Sequence, residues 1–121
     1  MSNVLDEFTK AYIECALWAS TNDEGAPLDR DFGISNLHFT ARARMVEDCE
    51  DFQAKYPSLL DLSGLTKEQQ GHDFWLTRNR HGAGFWDRGL PVEIGKALTT
   101  AAHSYGSCDL YVGDDGQVYT L

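Results

Sequence analysis

The chain is poor in cysteine, proline and basic residues, and it has no long apolar run. Only three cysteines occur in 121 residues, Cys15, Cys49 and Cys108. The number is odd and no CxxC spacing is present, which argues against a disulfide framework or a thiolate metal site. All three stand in apolar surroundings and are expected to be buried small hydrophobes. No stretch approaches the ~18 consecutive apolar residues of a membrane-spanning helix. The opening MSNVLDEFTK is acidic and amphipathic and lacks the basic start and apolar core of a secretory signal. A cytoplasmic location is therefore expected. No GxSxG elbow is present, and nothing orients Ser104 or Ser107 with His103 as a triad. The glycines of HGAGFWDRG fall outside the GxGxxG spacing and open no helix, so no phosphate loop is expected. YVGDDGQVY lacks the alternating acids and distant Glu of a calcium loop. No cofactor is expected.

Basic residues are the other shortage. Ten Lys and Arg stand against nineteen Asp and Glu, a formal charge of −9. Residues 1–65 hold twelve acids and five bases, and residues 66–121 hold seven and five, so the halves carry −7 and −2. Such a chain repels phosphate backbones, which disfavours direct nucleic-acid binding. It suits a basic protein surface, including one that normally holds nucleic acid. Plain solubility is the competing reading of the same charge.

What is present is a core. Apolar residues make up 42% of the chain, enough for one domain over residues 1–121 without metal or disulfide staples. Phe8, Tyr12, Cys15 and Ala19 recur at three and four, and the spacing predicts a helix over 3–19. STNDEGAPLDRDFG reads as a loop. Met45, Cys49, Phe52 and Tyr56 predict a second helix over 40–56, stopped by Pro57. Glu47, Asp48, Glu50 and Asp51 should lie on its exposed side. Thr66 suits the cap of a short helical turn reaching Gln70. DFWLTR and GFWDR, short and aromatic around the glycine-rich NRHGAG, read as a β-hairpin. Ile94, Leu98, Ala101 and Tyr105 share a helical face, with Pro91 in the first turn and Gly106 past the last. CDLYVGDDGQVYTL reads as a second hairpin around Asp115-Gly116. The expected fold class is α+β: N-terminal helices on a small antiparallel sheet of two hairpins, in the order α-α-β-β-α-β-β.

The richest stretch is GHDFWLTRNRHGAGFWDRG, residues 71–89. A hairpin would bring Asp73 and Asp87 to one end of the sheet. His72, Asp73, His81 and Asp87 are then the candidate metal or catalytic set. The bland reading is that these groups are hydrogen-bonded parts of the fold, with Arg78 and Arg88 paired to Asp73 or Asp87. The adjacent pairs Phe74-Trp75 and Phe85-Trp86 would point to opposite faces of their strands, which disfavours a base-stacking platform. Phe74, Leu76 and one of Phe85 or Trp86 are expected in the core. The stretch is expected to build the fold and present a partner-binding rim, with no catalytic residue.

HDFWLTRNRHGAGFWDRG, LTTAAHSYGSCDLYVGDDGQVY and ALWASTNDEGAPLD together resemble small uncharacterised proteins encoded by tailed bacteriophages and prophages. The resemblance touches most of the chain. Arg80 stands where glycine is often expected in such proteins. The resemblance implies a phage gene product in the bacterial host cytoplasm, and it carries no reaction with it. The leading expectation is a non-catalytic protein-binding module that modulates or inhibits a host protein, such as a defence or nucleic-acid enzyme. Its partner-binding residues would be Glu47, Asp48, Glu50, Asp51, Arg78, Arg80, His81 and Arg88. The alternatives are a small enzyme or metal-binding protein using His72–Arg88, and a structural or accessory phage protein. A second copy of the chain is a further candidate partner.

Overall fold

The structure is a computed structural model, and residues 5–121 are described. Among the described residues there are five α-helices and one two-stranded antiparallel sheet, an α+β arrangement dominated by helix. Helix α1 (Glu7–Ala19) starts where the Asp6 carboxylate accepts the Thr9 N–H at 2.7 Å. The start expected at Asn3 lies outside the described residues, and the helix begins at Glu7. Its buried side is wider than the expected stripe. Thr9, Ile13, Ala16 and Leu17 join Phe8, Tyr12 and Cys15, because α1 packs against both α2 (Phe39–Lys55) and α4 (Lys67–Arg78).

Met45, Cys49 and Phe52 of α2 are buried and Tyr56 is half-buried, as the spacing predicts. Pro57 ends α2 and then serves as the first residue of α3 (Pro57–Ser63). Its missing N–H is harmless at that position and its fixed φ suits the new helix. The kink sits at Tyr56, φ −126° and ψ 40°.

The first expected hairpin is absent. Thr66 caps a helix, its Oγ1 accepting the Gln69 N–H at 3.1 Å, but that helix runs beyond Gln70 to Arg78 and contains all of DFWLTR. The order is therefore not α-α-β-β-α-β-β. GFWDR forms a single 3-10 turn, Phe85–Asp87, folded back against α4. The physical reason lies in burial. Asp73, Phe74, Trp75, Leu76, Thr77 and Arg78 are all buried, so this half of α4 shows no polar face and no helical period. A short apolar run without a period does not distinguish strand from enclosed helix.

Gly71 makes that enclosure possible. A Cβ there would lie 1.9 Å from the carbonyl oxygen of Phe8. The absent side chain lets α4 cross α1 backbone to backbone. Gly84 plays a similar part in the return segment, where a Cβ would meet Thr77 Oγ1 at 2.4 Å. That hydroxyl instead accepts the Phe85 N–H at 3.0 Å. Phe85 is fully buried and Trp86 is exposed, which resolves the alternative between them.

Helix α5 (Val92–His103) follows Pro91, and Gly106, φ 74°, turns the chain two residues beyond the Ser104 cap. Strands β1 (Leu110–Val112) and β2 (Val118–Thr120) pair antiparallel, Tyr111 opposite Tyr119. The Asp115-Gly116 turn between them lies where expected, with Gly116 at φ 78°.

The core is one connected set of apolar side chains centred on rings. Phe52 and Phe74 stack with centroids 4.1 Å apart, Tyr12 lies 5.3 Å from Phe74, and Tyr105 meets Phe74 edge-on at 5.1 Å. Each such pair contributes about 0.5–1.5 kcal/mol beyond its buried area. They join α1, α2, α4 and the segment after α5 without help from the sheet. Among the described residues no helix is long and apolar enough to cross a membrane.

Candidate functional site: a groove between α1 and α4

Two hollows meet on the α1–α4 surface. The first, about 430 Å³, is lined by Glu14, Cys15 and Trp18 of α1, by Glu68, Gln69 and His72 of α4, and by Asp29. The second, about 450 Å³, lies beyond Trp18 and His72 and reaches Leu76, His81 and Arg88. The Trp18 and His72 rings, 6.1 Å apart, form the saddle between them. Trp18 is on this surface because it falls off the buried stripe of α1, one turn after Glu14. It is 57% exposed, which is unusual for so large an apolar side chain.

The floor is a buried ion pair. Arg88 grips the Asp73 carboxylate through Nε at 3.0 Å to both oxygens and through Nη2 at 2.7 Å to Oδ1. Gln69 donates a further hydrogen bond at 3.0 Å. Burial pushes the Asp73 carboxyl up, but the neighbouring His72 side chain, the bonds from Arg88 and Gln69 and the Arg88 charge outweigh it and hold its pKa below the ordinary aspartate value. His72 Nδ1 stands 3.8 Å from Asp73 Oδ1, too long for a hydrogen bond. Cys15, also in the floor, is no nucleophile. Burial first, and then the Asp73 charge, push its thiol up to about 12.

The rim has a different character. Glu14, Asp29 and Glu68 are exposed, and among the described residues none has a hydrogen bond or ion pair. Three uncompensated carboxylates thus surround an open tryptophan face.

The expected site residues are dispersed. His72, Asp73, His81 and Asp87 do not converge. His72 and His81 both line the second hollow and Asp73 lies beneath His72, but Asp87 is exposed outside the lining. Among the described residues no three His, Cys, Asp or Glu side chains are placed to hold a metal ion. Arg88 pairs with Asp73, as expected, but Arg78 pairs with neither Asp73 nor Asp87. Its side chain is 1% exposed and so belongs to no rim. It donates to Asp48 at 2.7 Å, the Tyr12 hydroxyl at 2.9 Å, and the carbonyls of Tyr105 and Gly106. Burial alone would lower its pKa, but the Tyr12 and Asp48 groups raise it and keep the guanidinium charged. One arginine thereby ties α4 to α1, α2 and the turn after α5.

The acid group on α2 splits for the same reason. Glu47 and Glu50 are exposed. Asp48 is held by Arg78, and Asp51 accepts the Tyr105 hydroxyl and pairs with Lys55 at 3.2 Å. Arg80 is exposed at φ 56°, the one non-glycine residue with positive φ among the described residues. Glu14, Trp18, Asp29 and Glu68 were not expected as site residues. The legible signal was Trp18, a large aromatic four residues from an acid and outside the apolar stripe.

Comparison with protein-family models, with curated proteins and with solved structures finds no match.

Proposed function

We propose that this chain is a non-catalytic protein-binding module of phage or prophage type, which modulates or inhibits a basic protein of the bacterial host from within its cytoplasm. The observation that carries the reading is the rim of unpaired carboxylates, Glu14, Asp29 and Glu68, around the exposed Trp18 ring. An arginine or lysine on a partner would meet a cation–π face and opposite charge together. The Arg88–Asp73 floor and the rigid α1–α4 crossing keep this geometry preorganised, which lowers the ordering cost of binding. Asp73, Arg88 and Gln69 beneath the groove are satisfied by one another, as suits a docking surface, and among the described residues only His72 Nδ1 in the lining is buried without a hydrogen-bond partner.

The test is capture of a host protein from bacterial lysate, its identification by mass spectrometry, and reconstitution from purified components. The expected partner is basic, binds the unmodified chain, weakens with added salt, and is lost with Trp18→Ala or with Glu14→Gln, Asp29→Asn and Glu68→Gln combined. Equal binding by those variants, or hydrolysis of a substrate by the purified chain that they leave intact, would overturn the reading.

A further inference from the structure

We infer that the α5 face binds a second copy of this chain, as an antiparallel helix pair related by a two-fold axis. Two hollows flank a ridge of Lys96 and Thr100 on α5. The one toward the 3-10 turn, about 350 Å³, holds Trp86, Leu90 and Val92. The one toward α3, about 520 Å³, holds Tyr56, Leu59 and Ala97. Val92 is 83% exposed and Trp86 53% exposed, so the apolar strip is open to solvent. The side chains between, Gly95, Ala97, Thr99 and Thr100, are small enough to let another helix approach to the usual ~8–10 Å.

The charge pattern points to the occupant. The lining of these hollows contains one acid, Glu93, and one base, Lys96. They stand three residues apart on one face, and neither has an ion-pair partner among the described residues. A basic partner would leave Lys96 opposed, and an acidic one would oppose Glu93. An antiparallel copy of α5, with the axis passing between positions 94 and 95, sets each Glu93 beside the other copy's Lys96. One symmetry operation then satisfies both charges twice. A chain of net charge −9 repels itself over most of its surface, and this face, whose lining charges cancel, is where self-contact is least opposed. The inference is independent of the α1–α4 groove, which lies on other elements.

Sedimentation velocity across a concentration series tests it, using the full chain, Glu93→Lys, Lys96→Glu and the double exchange. All the exchanged side chains are exposed, so circular dichroism should show the fold retained. The unmodified chain should dimerise reversibly. Each single exchange puts like charges across the axis and should weaken the dimer at least about tenfold. The double exchange should restore it to within a few-fold. A chain that stays monomeric at its highest soluble concentration overturns the inference. So does a dimer indifferent to the single exchanges, or one that the double exchange fails to recover. Trp86→Ala gives a second reading on the same face, and an undiminished dimer in that variant counts equally against it.

Discussion

The rim of the α1–α4 groove carries three acids and no free base, whereas the α5 hollows carry one charge of each sign between apolar side chains. Beneath the groove the charges are already spent on each other, as Arg88 on Asp73. Beneath α5 the contacts are apolar, Phe85 and Leu98. The difference predicts that one core presents two surfaces with different salt responses. The attraction proposed at the groove is largely Coulombic and would be screened within a Debye length of about 8–10 Å. Association through α5 is mainly apolar, with its two charges setting register, so added salt should leave it largely intact. Binding and self-association measured in one salt series should therefore diverge, and parallel loss of both would dissolve the distinction.

Both surfaces depend on α4 being locked in place, so the largest effect should come from Arg78. Arg78→Met removes the donor that Asp48, Tyr12 and two carbonyls share. Breaking such a pair by deleting one partner costs about 3–5 kcal/mol, and we expect that loss in chemical denaturation. Groove binding and dimerisation should fail together. A variant of undiminished stability would mean that the aromatic packing holds α4 unaided.

Arg88→Ala should cost about 3 kcal/mol, near the low end of that range because the Arg88 side chain is 26% exposed and some water replaces it. It separates the surfaces, since Arg88 lines the groove and not the α5 hollows. Its pH dependence has a definite sign. In the intact chain the folded pKa of Asp73 lies below the unfolded value near 3.8. Its stabilisation is complete above the unfolded value and is lost as pH falls through the folded one. Without Arg88, burial is opposed only by the His72 and Gln69 side chains, and the Asp73 pKa moves up from its place in the intact chain. Relative to the intact chain the variant is then penalised at neutral pH, and the penalty falls as acid protonates the carboxyl. The stability gap between the two proteins should shrink from pH 7 to pH 4. A gap that widens over that range would show that Arg88 does not hold Asp73 ionised.

Two glycines sharpen the contrast between the helices. Gly71→Ala places a methyl 1.9 Å from a backbone oxygen of α1, and backbone cannot swing aside as a side chain can. We expect a loss of about 2–3 kcal/mol and a disturbed groove. Gly95→Ala in α5 meets its nearest atom, the Phe85 carbonyl oxygen, at 3.6 Å, an ordinary contact. Alanine's better helix propensity should make that change neutral or stabilising by up to about 1 kcal/mol. Thermal melts of the pair read the difference directly, and equal shifts would deny that α4 is packed more tightly than α5.

The elements legible in the sequence are those whose local chemistry agrees with their surroundings. The Met45, Cys49, Phe52 stripe marks a helix with one wet side, and Asp115-Gly116 marks a turn that only a few residue types can make. Helix α4 was illegible because it is buried nearly all round, and its polar residues are interior partners. Asp73 and Arg78 look like surface groups until Arg88 and Asp48 are brought to them by the fold. Gly71, which reads as a helix weakener, is there for contact with Phe8, sixty-three positions earlier in the chain. The groove was half legible. His72 and Arg88 were singled out, but with a hairpin geometry that would have gathered four ligands. Their true neighbours, Trp18 and Glu14, come from a helix whose polar side gives no hint of what it faces. Asp48 and Asp51 show the same limit in reverse, since an acidic run reads as one exposed patch until a buried arginine takes one of its members.

The smallest effect belongs to the turn that joins the two surfaces. Residue 80 closes α4 and leads through His81 to the second hollow of the groove, then through Phe85 to the base of α5. Arg80 adopts φ 56° there, a conformation that costs a side-chain-bearing residue about 1–2 kcal/mol. Glycine escapes that strain but loses about 0.5–1 kcal/mol through its greater freedom when unfolded. Arg80→Gly should therefore stabilise the chain by less than about 1 kcal/mol, the difference of those two effects. Arg80→Ala keeps the strained backbone and removes only an exposed side chain, so it should stay within about 0.5 kcal/mol of the parent. His81→Ala, also exposed, should do the same. Denaturation midpoints for the three variants distinguish backbone from side chain. If glycine and alanine at position 80 destabilise alike, the guanidinium itself holds the turn, and the strain at φ 56° is offset by contacts of the arginine head.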